Sequence, residues 1–131
     1  MERSFQYGNA ERDGAPRRGW FVGRFIAEPE NLRGTSELEI KWGVHSAGEN
    51  RESWGYSKSA TTMTILIKGK WSQEFADGEV ELSQVGDYII WSPYTPHRWV
   101  ALEDSIMLTV RWPSVPDDNF ETDDPQLVLT Q

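Results

Sequence analysis

A chain of 131 residues can bury one hydrophobic core but hardly two, so a single domain is expected. There is no cysteine, which removes disulfide frameworks and thiolate chemistry, and the net charge of −8 comes without the basic stripe that a phosphate backbone requires, so no nucleic-acid partner is expected. Met1 to Tyr7 lacks the apolar run of a signal peptide and no stretch is apolar enough to span a bilayer, so a cytoplasmic location without membrane contact is expected.

Residues 1–18, rich in Gly, Arg, Glu and Asp, read as a loop-forming arm. Strand signals begin with the aromatic and β-branched run Trp20 to Ile26. They continue in Glu37 to His45, which alternates polar and apolar with period two. Further strands are predicted near 62–68, 70–76, 79–83, 87–91, 97–102 and 105–112. Turns fall at Gly34, Ala47-Gly48, Asp77-Gly78, Gly86 and Glu103-Asp104. No amphipathic helix of convincing length interrupts them, and many short strands at close spacing predict an all-β barrel or sandwich over 19–112. Residues 113–131 hold Asp117, Asp118, Glu121, Asp123 and Asp124, three prolines and no basic residue. That composition predicts a solvated acidic tail with Leu127-Val128-Leu129 docked back on the body.

Alternation sorts each strand into two faces. Leu38, Ile40, Trp42 and Val44 share one, and Glu39, Lys41, Gly43 and His45 the other; Ile106, Leu108, Val110 and Trp112 oppose Met107, Thr109 and Arg111. The mixed faces are either solvated or line a cavity in which Lys41, His45, His97 and Arg111 converge, and the periodicity leaves both open. Seven tryptophans in so short a chain exceed what a small core needs, so indole-walled binding is in view.

The stretch Gly86-Asp87-Tyr88-Ile89-Ile90-Trp91-Ser92-Pro93-Tyr94-Thr95-Pro96-His97 resembles the second conserved motif of the cupin superfamily. The Gly86 to His97 offset is that motif's own. Pro93 sits one residue late, Tyr94 takes the second glycine's place and Ala101 replaces the asparagine. The first motif ends at Gly69; counting back, its glutamate falls on Thr62 and its histidines on Tyr56 and Lys58, or on Gly55 and Ser57. The resemblance covers roughly residues 36–112. It implies a double-stranded β-helix, or jelly-roll barrel, with His97 facing the cavity and most of the usual metal set lost.

Three functions follow from that reading. One is binding of a small organic molecule, a sugar or polar metabolite, by Lys41, Trp42, Tyr56, Trp91, Trp99 and Arg111, with no cofactor expected. A second is a metal-dependent oxygenase, isomerase or lyase in which His45 and His97, with Glu49 or Glu52, hold Fe, Mn, Ni or Zn; two imidazoles and a carboxylate suit such metals. The third is a structural dimeric module. A homodimer is expected in any case, through the apolar edge Trp20 to Ile26.

Overall fold

The computed structural model describes residues 4–129 and is built almost entirely of strands. A short helix, α1 (Ala10–Gly14), and a 3-10 turn (Ala15–Arg17) lead into β1 (Trp20–Val22) and β2 (Glu39–His45). Then follow β3 (Trp54–Tyr56), β4 (Thr61–Lys68), β5 (Trp71–Phe75), β6 (Gly78–Leu82), β7 (Tyr88–Trp91), β8 (His97–Ala101) and β9 (Ser105–Trp112). Strand β10 (Phe120–Thr122) and helix α2 (Pro125–Leu129) end the chain. No helix among the described residues is long and apolar enough to cross a membrane.

The strands form two five-stranded antiparallel sheets, β1-β2-β9-β4-β7 and β10-β3-β8-β5-β6. Hairpin turns sit near where the sequence marks them: Ala76 and Asp77 join β5 to β6, with Gly78 the first residue of β6, and Gly86 precedes β7 with a φ of 96° that suits glycine. Gly69 closes the β4–β5 turn at the same φ; a Cβ there would lie 2.3 Å from the Asp104 carbonyl oxygen. Tyr94, at the motif's second glycine position, also takes a left-handed φ of 62°, a conformation that costs a side-chain-bearing residue about 1–2 kcal/mol.

The core occupies one end of the space between the sheets, where Leu66 and Met107 from the first meet Trp71, Leu82 and Ala101 from the second. The first sheet turns its mixed face inward: Thr62, Thr64, Leu66 and Met107 are buried, while Met63, Ile65, Ile106 and Leu108 are only half-buried. The more apolar side of this sheet therefore points away from the barrel.

Two segments depart from expectation. The strand predicted over Trp20 to Ile26 stops at Val22; the chain then turns so that Phe25 lies under the Arg17 guanidinium at 5.7 Å and Ile26 is buried. The apolar residues meant for a partner edge are thus partly packed on their own body. Residues 113–129 are not simply solvated, because β10 pairs with β3 and Asp118 caps the backbone of 58–60. Its carboxylate accepts from the N–H groups of Lys58 at 2.6 Å and Ala60 at 2.9 Å, with Ser59 at 3.2 Å. Val128 of the expected docking triplet is buried, while Leu127 is exposed.

Candidate functional site

Cross-strand register assembles the site. Lys41 of β2 faces Thr109 of β9, which faces Thr64 of β4, so three polar side chains stand in one row on the inner face. Thr64 and Thr109 share a hydroxyl hydrogen bond of 3.0 Å. One row on, Arg111 lies beside Thr62. Gln73 of β5 and His97 and Trp99 of β8 close the space from the other sheet, and Trp20, Trp71 and Trp91 supply further walls. The cavity between them measures about 100 Å³.

Its electrostatics are those of buried cations. Arg111 donates through Nη1 to Glu39 Oε1 at 3.3 Å, and Glu39 Oε2 accepts from Ser114 Oγ at 2.8 Å. The Arg111 guanidinium lies 4.7 Å from the Trp20 ring centroid and Lys41 Nζ 5.9 Å from it. Burial lowers the pKa of both cations; Arg111 adds to the effect at Lys41, and Glu39 opposes it at Arg111. Lys41 has no carboxylate within ion-pair distance among the described residues. Two further donors, Gln73 Nε2 and Arg111 Nε, are buried with no partner.

Burial also holds His97 to a pKa of about 4, its contact with the Thr95 carbonyl opposing and Arg51 and Arg111 assisting. Nδ1 lies 3.1 Å from the Thr95 carbonyl oxygen, so it is the protonated nitrogen and Nε2 keeps its lone pair. The ring packs on Trp91 at 4.6 Å and on Phe75 at 6.3 Å. His45 packs instead on Trp99 at 4.8 Å and Trp71 at 5.2 Å, with Nδ1 paired to Glu49. Gly43 makes its room: a Cβ there would stand 2.8 Å from His45 Nε2.

Of the residues proposed from sequence, Lys41, His45, Trp91, His97, Trp99 and Arg111 line this cavity. Trp42 does not. Adjacent strand residues face opposite sides, so with Lys41 inside, Trp42 lies outside, beside Asn9, Ala10 and Glu11 of the arm. Tyr56 is excluded for the same reason, because the inward residue of β3 is the buried Gly55, paired with His97; Tyr56 stacks on Phe120 at 5.6 Å. Glu49 is half-exposed beside His45, and Glu52 is exposed. Sequence reasoning missed Trp20, Arg51 and Gln73. Gln73 follows from strand alternation with Trp71, whereas Arg51 lies in an irregular segment that carries no periodic signal.

The residues do not suit a cupin metal. His45 and His97 lie against different tryptophans, His45 is engaged by Glu49, and no group of three His, Asp or Glu among the described residues could hold a metal ion. The inward first-motif positions, Gly55, Ser57 and Thr62, offer neither imidazole nor carboxylate. Lys41, Arg51 and Arg111 would repel a dication.

No family model and no curated protein matches the chain by sequence. Solved structures do. A protein with a double-stranded β-helix domain from Klebsiella pneumoniae superposes with a TM-score of 0.60 at 16% identity, over 69% of this chain and 74% of that one. KdgF from Halomonas gives 0.55 at 22% identity, over 63% and 76%. A sugar phosphate isomerase of the cupin superfamily from Silicibacter pomeroyi gives 0.58 at 18% identity, over 70% and 60%. With the two-sheet topology and the Gly86 to His97 motif, these likenesses identify the fold as that of the cupin superfamily, the double-stranded β-helix.

Proposed function

We propose that the chain binds a small polar organic molecule, non-covalently, inside the barrel cavity. The observation that supports this most is the lining itself: Lys41, Arg111, Gln73, Thr64 and Thr109 share one cavity with four tryptophans. Two of these residues also carry a buried donor without a partner, Gln73 Nε2 and Arg111 Nε, and an unpaired buried donor costs about 1–3 kcal/mol. A second, more open groove of about 440 Å³ on the outer face of the β5–β8 sheet lacks this feature. Its polar groups engage one another: Arg98 pairs with Glu74 at 2.6 Å and Ser72 donates to Glu79 at 2.5 Å.

Four indoles line the cavity, so their fluorescence reports occupancy. Titration with small sugars, sugar acids and short carboxylic acids is expected to yield at least one saturable change accompanied by a raised melting temperature. Thr109→Leu, which fills the space with carbon, should abolish that response while keeping the fold. A response left intact in Thr109→Leu would place the ligand elsewhere and defeat the proposal.

A further inference from the structure

The cupin motif's first histidine position, in its inward register, is Gly55. The space above it is filled: a Cβ at Gly55 would stand 2.3 Å from Arg51 Cζ and Nη2 and 2.4 Å from Nη1. A guanidinium thus lies flat against β3 at the point where the motif would place a metal-binding side chain, and Gly55 is the register partner of His97 on β8. Arg51 also lines the cavity with Lys41 and Arg111.

The charges inside do not balance. Three cations, Lys41, Arg51 and Arg111, meet one buried carboxylate, Glu39, which is already engaged by Arg111 and Ser114. The other acids nearby are peripheral: Glu49 is taken by His45, Asp118, which opposes the lowering at Arg111, is engaged by the backbone of 58–60, and Glu121, two-thirds exposed, pairs with Arg51 Nη2 at 3.7 Å. His97, held neutral, adds no charge at pH 7. Burial lowers the pKa of both Lys41 and Arg111; Arg111 and Arg51 add to the effect at Lys41, and Arg51 adds to it at Arg111. Gln73, 1% exposed, lines the same space and carries a buried amide N–H without a partner.

We propose that the cavity is a site for a short-chain carboxylate, its oxygens bound by Arg51, Arg111 and Lys41, with the Arg51 guanidinium as a built-in cation where the cupin motif would carry a metal ligand. The inference rests on the binding function proposed above and names its ligand class. A neutral sugar would leave the surplus charge and donors unanswered, whereas a carboxylate accepts several charge-assisted hydrogen bonds, bidentate ones from Arg included. Volume limits the rest of the molecule. About 100 Å³ is well below the roughly 300–1,000 Å³ of cavities for drug-sized ligands, which favours an acid of few carbons with Trp91 and Trp99 beside its chain.

The test uses the full chain and four probes at constant ionic strength: sodium acetate, sodium malonate, acetamide and glycerol, read by tryptophan fluorescence and calorimetry. One of the carboxylates should bind at least tenfold tighter than acetamide. Arg51→Met should weaken that binding at least tenfold, and Arg51→Lys should restore part of it. Gly55→Ala, which keeps every charge but displaces the guanidinium, should weaken it as well; circular dichroism confirms that each variant is folded. Equal affinity for acetate and acetamide, or malonate binding unchanged in folded Arg51→Met and Gly55→Ala, would overturn the inference. If glycerol binds in a manner blocked by Thr109→Leu while both carboxylates fail, the cavity is a binding site and only the ligand class is wrong. If no probe responds, the carboxylate inference falls, while the wider sugar and acid titration still decides the binding function.

Discussion

Acid should destabilise this fold through His97. Its pKa is 6.5 in an unfolded chain and about 4 in the folded one, because burial against Trp91 and Phe75 disfavours the imidazolium. A histidine with a depressed folded value contributes its full stability above pH 6.5. Below that the unfolded chain takes up a proton that the folded chain refuses, and the contribution is lost progressively until pH 4, where both forms are protonated. The separation, 6.5 less 4, is about two and a half pH units; at about 1.4 kcal/mol per unit the full loss is about 3.5 kcal/mol. That is a large share of the roughly 5–15 kcal/mol that holds a domain folded. His97→Asn removes the titration while keeping an N–H for the Thr95 carbonyl. Urea unfolding of both proteins at pH 7.5 and pH 4.5 separates this residue from the carboxylates, which titrate in both. The wild type should lose about 2–3 kcal/mol more than the variant over that interval. Equal losses would show that His97 titrates normally and is not buried as described.

Three other outcomes can be checked directly. Asp118→Asn removes the charge that receives the N–H groups of Lys58, Ser59 and Ala60; urea unfolding should show a loss of about 1.5–3 kcal/mol, and a loss under 0.5 kcal/mol would mean that the tail does not brace β3. Carboxylate affinity should fall as pH rises toward the lowered pKa of Lys41, since deprotonation removes one of three cavity cations; Lys41→Gln should flatten that slope, and an identical slope in the variant refutes the role. A homodimer through the outer face of the β2-β9-β4-β7 strands would cover Val44, Tyr88 and Ile90, which are 54%, 61% and 50% exposed. Light scattering at micromolar concentration should then return twice 15.1 kDa, reverting to one chain in Ile90→Lys, and a monomer mass for the wild type counts against it.

Strand alternation made much of this molecule legible. Period two placed Lys41 with Gly43 and His45, and Arg111 with Thr109 and Met107, and the cavity uses those faces. The Gly86 to His97 spacing and the Asp77-Gly78 pair mark the β7–β8 corner and the β5–β6 hairpin in the chain itself. Periodicity also carried a constraint that the site prediction overlooked: Lys41 and Trp42 are neighbours on one strand and cannot both line one cavity.

What alternation lacks is an absolute direction. It says that Trp42 opposes Lys41, but which of them meets the barrel interior depends on what the other sheet presents, and that is settled by pairings between residues far apart in the chain. Arg51 shows the same limit more sharply. Its backbone N–H is held by the Trp99 carbonyl at 2.9 Å, across 48 positions of sequence, and the bare backbone of Gly55 leaves room for its guanidinium at the cavity. Asp118, read from composition as one charge in a solvated tail, finds its partners at residues 58–60 through the pairing of β10 with β3. Which side chains travel together follows from the chain, because the geometry of a strand is local. Where each set points and which loop residues join it is settled in the folded molecule, by contacts between segments that no local pattern connects.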